Sequence, residues 1–245
     1  MSTQTDTGNV TGAMMPAAKT SGGDGWETAS DEITGFLARV VPWPDGDDAL
    51  GFVNLHWPFR TNDDEVRWTG KPARSVAELQ RLVQSVLKRR NATDIYYCLS
   101  LQRARKPNGN GGFTAVRKQQ NALALKALWL DIDVKEPPRG YTTVQEAWVA
   151  LKDFYKAVGL PPPSALIASG GGLHVYWISK TPLRHDQWQP LAVGLKNAAL
   201  KHGLRCDACC TVDAARILRV PGTWNCKIEP RRPVQLLWLG EDYDF

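Results

Sequence analysis

The sequence holds no apolar run near the 18 residues that a membrane-spanning helix needs, and no charged-then-apolar leader. A cytoplasmic protein, neither membrane-spanning nor secreted, is the expectation. No Gly-x4-Gly-Lys-Ser/Thr segment occurs, which excludes a P-loop motor in this chain. Internal repeats are absent. Cysteine is scarce, five in 245 residues and odd in number, which argues against a disulfide framework and for reduced thiols. Three of the five cluster at Cys206, Cys209 and Cys210, with His202 and Cys226 nearby. Four zinc ligands exist on paper, but a second Cys-x2-Cys pair is missing, so structural zinc is not expected.

What remains is ordinary for a soluble globular protein: 43% hydrophobic and 22% charged residues, in a chain long enough for one large domain or two small ones. A net charge of +5 and a pI of 9.0 suit a polyanionic partner. The ten tryptophans fall largely in strand-like runs, where core packing accounts for them. Residues 1–30 are rich in Ser, Thr, Gly and Asp and read as a disordered tail. Short strands are expected at residues 36–41 and 51–55, separated by a Pro- and Asp-rich turn. Ser75 and Glu78 form a capping box, opening a helix with Val76, Leu79, Val83 and Val86 on one stripe and Arg89 and Arg90 at its end. A strand over 95–101 follows. A second capping box, Thr143 with Glu146, opens a helix carrying Val144, Trp148, Leu151 and Tyr155, stopped by Gly159. Another helix spans about 186–202, with Trp188, Leu191, Leu195 and Ala199 as its stripe. His56 and His185 read as surface or satisfied core groups.

Three clusters carry chemistry. In the run 127–134, Asp131 and Asp133 stand two apart on a strand, so both point to one face while Leu128, Leu130, Ile132 and Val134 point to the other. Adjacent carboxylates repel unless a cation lies between them, and on a rigid strand such a pair holds Mg²⁺ or Mn²⁺ with substrate phosphates; the plain alternative is two solvated acids. The second cluster is Ser169-Gly170-Gly171-Gly172-Leu173-His174, between two strands. Here backbone N–H groups with Ser169 and His174 can cradle an anion, or the segment is only a hairpin loop. The third runs from Arg205 to Lys227 and combines Asp207 and Asp213 with Arg216, Arg219, a Pro-Gly turn and Lys227, a set suited to a metal–triphosphate or to a surface ion-pair network. Upstream of all three, the loop over 103–118 is flexible and basic. Its Arg103, Arg105, Lys106, Arg117 and Lys118 either are merely solvated or track a nucleic-acid backbone.

In order and spacing the three clusters resemble motifs I, II and III of the archaeo-eukaryotic primase superfamily, in particular the primase–polymerase domains of phages and plasmids. The resemblance runs from about Trp129 to Lys227 and is vague before Ile95. It implies an α+β fold: an N-terminal α/β unit (about 31–120) and an RRM-like catalytic unit with a mixed sheet (about 121–245). It further implies template-dependent nucleotidyl transfer with two Mg²⁺ or Mn²⁺ ions held by Asp131, Asp133 and a third acid. Asp207 is preferred as that acid because it lies fourteen residues before Pro221, as in the family pattern; Asp213 is the alternative. Ser169, Gly171 and His174 would meet the incoming nucleotide, with Arg219, Lys227 and, less firmly placed, Arg216 on its triphosphate. Implied partners are a single-stranded DNA template, a dNTP or NTP, and a helicase, separate or fused C-terminally. A catalytically inactive nucleic-acid-binding or replication-initiator module of the same fold is the second reading, and a metal-dependent nuclease a third.

Overall fold

The computed structural model of the protein describes residues 15–16, 30–46, 50–89 and 94–245. The expected tail (apart from 15, 16 and 30) and Arg90 lie outside these residues.

The first element corrects the sequence reading. Helix α1 spans Ser30–Val40, where a strand over 36–41 was expected. Ile33, Phe36, Leu37 and Val40 are all fully buried, at the i, i+3, i+4, i+7 spacing of one helical face, and Asp31 and Glu32 favour the N-terminal end of the helix dipole. Next come β1 (Val53–Arg60), which extends five residues past the expected strand, and β2 (Val66–Ala73), which the sequence reading did not contain. Helix α2 (Val76–Leu87) begins where its capping box places it: Glu78 N donates to Ser75 Oγ at 3.2 Å, and Leu79, Val83 and Val86 face the core.

The segment expected as one strand over 95–101 is two, β3 (Tyr96–Cys98) and β4 (Ser100–Gln102), which enter different sheets. The basic loop contains a hairpin, β5 (Arg105–Pro107) with β6 (Phe113–Ala115). Then follow β7 (Ala122–Asp133), α3 (Val144–Ala157, capped by Thr143), β8 (Ala165–Ala168), β9 (Gly172–Arg184) and α4 (His185–Lys201). On α4 the buried stripe is Trp188, Ala192, Leu195 and Ala199; Leu191, expected in that stripe, is exposed. The chain ends with α5 (Ala208–Thr211), β10 (Ile217–Arg219), β11 (Trp224–Asn225), β12 (Arg232–Pro233) and β13 (Gln235–Leu239).

Two sheets carry the molecule, one ordered β10-β3-β1-β2 and the other β13-β8-β9-β7-β4. Each pairing between the named strands is antiparallel. The mixed sheet expected of the catalytic unit is not formed: all its pairings are antiparallel, because β9 is inserted between β7 and β8, which are joined through α3 and run the same way, a split β-α-β arrangement. The sheets also exchange strands: β4 supplies the edge of the second, while β10, from late in the chain, supplies the edge of the first. Phe36 packs edge-on against both Tyr97 and Tyr176, whose hydroxyls meet at 3.0 Å, so one continuous core joins the two sheets. Among the described residues no helix is long and apolar enough to cross a membrane.

Candidate active site

Strand β7 is buried on both faces over residues 127–130. Leu130 and Ile132 point into the core on one side. On the other, Trp129 stacks on Trp188 of α4 with ring centroids 5.0 Å apart. The indole N–H of Trp129 donates to the Cys210 carbonyl at 2.9 Å, and that of Trp188 to the Ala127 carbonyl at 2.8 Å. These bonds fix α4 and α5 over residues 127–129 of the strand and leave Asp131 and Asp133 just beyond that cover. The Asp207 N–H donates to the Asp131 carbonyl at 2.8 Å, which places the start of α5 beside the first acid. Oδ1 of Asp207 caps α5, accepting from Cys209 N at 3.1 Å and Cys210 N at 3.0 Å, so its Oδ2 is left to face the site.

Arg216 completes this group. Its Nη2 lies 3.2 Å from Asp207 Oδ2 and 3.4 Å from Asp131 Oδ2, bridging the two carboxylates. Its Nε is buried without a partner. The Cys210 thiol joins them: one ligand atom each from Asp131, Asp207 and Cys210 lie within 4.8 Å of one another. Burial, reinforced by Asp133 and opposed by Arg216, pushes Asp131 up to about 6. Burial likewise raises the Cys210 thiol well above the ordinary range.

The structure brings some expected residues together and separates others. Asp133 sits one pleat beyond Asp131 and is paired with Lys135 at 2.5 Å. Asp213 stands apart: its Oδ1 accepts from Ala215 N at 3.0 Å and its carbonyl from Arg216 N at 2.8 Å, a turn that launches β10. Of the two candidate third acids it is therefore Asp207 that lies with Asp131. His174 is directly opposite Asp131 across the β7–β9 pairing, its Nε2 3.9 Å from Asp131 Oδ1. Burial first, then Arg219 and Arg216, push this imidazole down to about 3, so it is neutral at physiological pH, with Nδ1 buried and unpartnered.

The triple-glycine segment is a tight hairpin turn between β8 and β9. A Cβ on Gly172 would lie 2.0 Å from the Ile132 carbonyl oxygen, so only glycine lets the hairpin lie this close to the Asp-bearing strand. Ser169 is buried, its carbonyl accepting from Asn225 Nδ2 at 3.3 Å, and the Gly171 carbonyl accepts from Val134 N at 2.8 Å. Arg219 is bound to Asp94, Nε to Oδ1 at 2.5 Å, and its guanidinium lies 5.4 Å from the Tyr96 ring; the Lys227 ammonium lies 5.9 Å from the same ring. Of the basic segment, Arg105 lies 3.5 Å over the Phe113 ring, Arg117 Nη1 donates to the Ala215 carbonyl at 2.6 Å, and Arg103, Lys106 and Lys118 are exposed. Asp94 and the place of Cys210 beside Asp131 were missed because they depend on chain segments 125 and 79 residues away. His56 and His185, read as satisfied or surface groups, each have a buried Nε2 without a partner.

Carboxylates gathered around a cation are the donor set of a hard divalent ion, and the guanidinium at their centre marks the place of positive charge. The Cys210 thiol, held protonated by burial, would have to lose its proton before it could join the two carboxylates as a ligand. The residues fit a metal.

Comparison with solved structures identifies the fold. The primase–polymerase AEP domain of cyanophage S-2L superposes with a TM-score of 0.50 at 19% identity, covering 79% of this chain and 85% of that one. The catalytic domain of primase RepB′, solved with initiator DNA, aligns at 15% identity with a TM-score of 0.46, covering 78% of this chain and 80% of that one. A replication protein of Clostridium perfringens is 29% identical over 120 residues, 48% of this chain and 28% of the relative's length. No protein-family model matches the chain. The chain thus has the α+β fold of an archaeo-eukaryotic primase, as the motif order implied.

Proposed function

We propose that the chain is a metal-dependent, template-directed nucleotidyltransferase, a DNA primase–polymerase. The observation that carries this reading is the convergence of Asp131 and Asp207 on one point with Arg216 between them, beside His174 and the glycine hairpin. Asp131 and Asp207 would hold a divalent ion, with Asp133 released from Lys135 to join them and Cys210 within reach. When bound, the ion supplies charge neutralisation for the attacking hydroxyl and the leaving pyrophosphate.

The chain's own groups do the rest by positioning and electrostatics, since phosphoryl transfer requires no covalent intermediate. Arg216, displaced from its carboxylates, turns to the triphosphate, and Arg219 and Lys227 extend that cationic wall. His174, neutral at working pH, donates one N–H to a phosphate oxygen. The Gly170 and Gly171 N–H groups of the turn would reach the same phosphates. A single-stranded template, a nucleoside triphosphate and a helicase acting from elsewhere are the partners this reading requires, and a phage- or plasmid-type replication system is its setting.

The test uses single-stranded template, labelled dNTPs or NTPs and Mg²⁺ or Mn²⁺, with and without primer, beside an Asp131→Ala/Asp133→Ala variant. Template-dependent product from the wild type alone supports a polymerase, and product without primer a primase. Template binding by both proteins with product from neither overturns the catalytic reading in favour of a binding module.

A further inference from the structure

The first sheet turns one face to the core and the other to a cavity of about 260 Å³ that none of the aspartates lines. Its walls are His56 of β1, Trp68 and Gly70 of β2, Thr114 of β6, Arg117 and Ile217. His56 is only 8% exposed, yet its Nε2 has no hydrogen-bond partner. Its other nitrogen faces the β2 backbone, where a Cβ on Gly70 would meet Nδ1 at 2.6 Å and where Thr69 supplies a backbone hydrogen bond. Burial, with Arg117, pushes this imidazole down to about 4, so at neutral pH Nε2 is an unpartnered acceptor on a residue of the cavity wall. A buried polar atom left unsatisfied costs free energy, which a ligand N–H would recover.

Trp68 is 52% exposed, an unusual state for an indole, and its ring lies 5.5 Å from that of Tyr96. Two cations of the basic segment belong to this site: Arg117 lines the cavity, and Lys106 lies directly across the β5–β6 hairpin from Thr114 of its wall. The cavity is smaller than the roughly 300–1,000 Å³ usual for drug-sized ligands and suits a single planar heterocycle. An acceptor on a wall residue, a half-exposed indole and these two cations together match one nucleobase still joined to its phosphate backbone.

We infer that this cavity captures one base of a single-stranded nucleic acid, stacked on Trp68 and hydrogen-bonded to His56, while Lys106 and Arg117 hold the flanking phosphates. Cross-strand neighbours run His56 to Tyr96 to Arg219, so the captured base lies two strand spacings, roughly 10 Å, from Arg219. The strand is thereby pinned at a fixed distance from the proposed centre. As a template site the inference rests on the polymerase reading; as a binding site it does not.

Fluorescence anisotropy with labelled oligodeoxynucleotides tests it on the full chain, comparing an ordinary single strand with a fully abasic strand of equal length. Wild type is expected to prefer the base-bearing strand. Trp68→Ala weakens that binding roughly tenfold, as loss of one base–aromatic stack predicts, and leaves the abasic strand's affinity unchanged. Thr114→Trp, filling the cavity from the hairpin, removes the preference in the same way. If both variants bind the two strands as wild type does, the base pocket is overturned, whether or not the protein synthesises DNA. A Trp68-dependent preference without synthesis overturns the polymerase reading and leaves the pocket standing. Absence of any binding to the base-bearing strand overturns both.

Discussion

Replacing Arg216 with alanine removes the guanidinium between Asp131 and Asp207, whose Nη2 lies 3.4 Å and 3.2 Å from their Oδ2 atoms. At such distances each ion pair is worth roughly 4 kcal/mol of Coulomb attraction at an effective dielectric constant near 20. The three side chains are 16–35% exposed, so solvent screening and the cost of desolvating the charges take back most of that attraction. A net loss of about 2 kcal/mol is expected, or a melting temperature lower by roughly 4–8 °C for a chain this long. The variant should, however, bind Mn²⁺ more tightly, because the ion no longer competes with a resident cation; a gain of about 1.4 kcal/mol corresponds to tenfold in Kd. Differential scanning calorimetry in EDTA and then across a Mn²⁺ titration measures both quantities. Added nucleoside triphosphate should reverse the order of affinities, since the variant lacks the group proposed to meet the phosphates. A variant that melts with the wild type, or binds Mn²⁺ no better without nucleotide, refutes the idea that Arg216 occupies the cation's place.

The Asp131→Ala/Asp133→Ala variant should lose synthesis while binding single-stranded template within about threefold of wild type, as a filter-binding assay would register. Acid should destabilise the fold. His56 and His174 are pushed down to about 4 and about 3, so below their ordinary value near 6.5 the unfolded chain takes protons that the folded chain refuses. That stability is complete above pH 6.5 and is lost as pH falls, at up to about 1.4 kcal/mol per pH unit per histidine. Asp131, pushed up to about 6, works in the opposite direction between pH 6 and 3.8 and offsets one histidine. Melting temperatures should therefore decline from pH 7 to pH 4.5, and an unchanged or rising value contradicts the burial of the two imidazoles. Gly172→Ala should cost at least about 3 kcal/mol, because its Cβ would lie 2.0 Å from the Ile132 oxygen at a φ of +155°; a urea melt superimposable on wild type would rule out the close approach. Trp188→Ala, deleting the ring stacked on Trp129, should cost about 3–5 kcal/mol by the same measurement.

How far the sequence carried the reading depends on the range over which each feature is determined. The capping residues Ser75 and Thr143 act within one helical turn, and α2 and α3 begin where those residues place them. Over 36–41 the density of apolar residues suggested a strand, although Ile33, Phe36, Leu37 and Val40 already carried a helical period that decided the matter. Strand β2 was missed because Gly70 and Pro72 are poor strand residues; each is tolerated at the sheet's edge, and Gly70 makes room for His56. At the site, alternation along β7 put Asp131 and Asp133 on one face correctly. That Asp207 joins Asp131 follows from a backbone hydrogen bond between residues 76 apart, and that Arg219 is held by Asp94 from a pair 125 apart. No local pattern encodes such pairs.

The exchange of β4 and β10 between the two sheets has a consequence for how the protein is made and inherited. A nascent chain cannot complete its first sheet until residues 217–219 have left the ribosome, although the other three strands of that sheet lie within the first 98 residues. Each half also carries the missing edge of the other, so a recombination breakpoint near residue 120 would hand two recipients one open sheet apiece. The unit that can be moved intact between genomes is therefore the whole described domain, from α1 to β13.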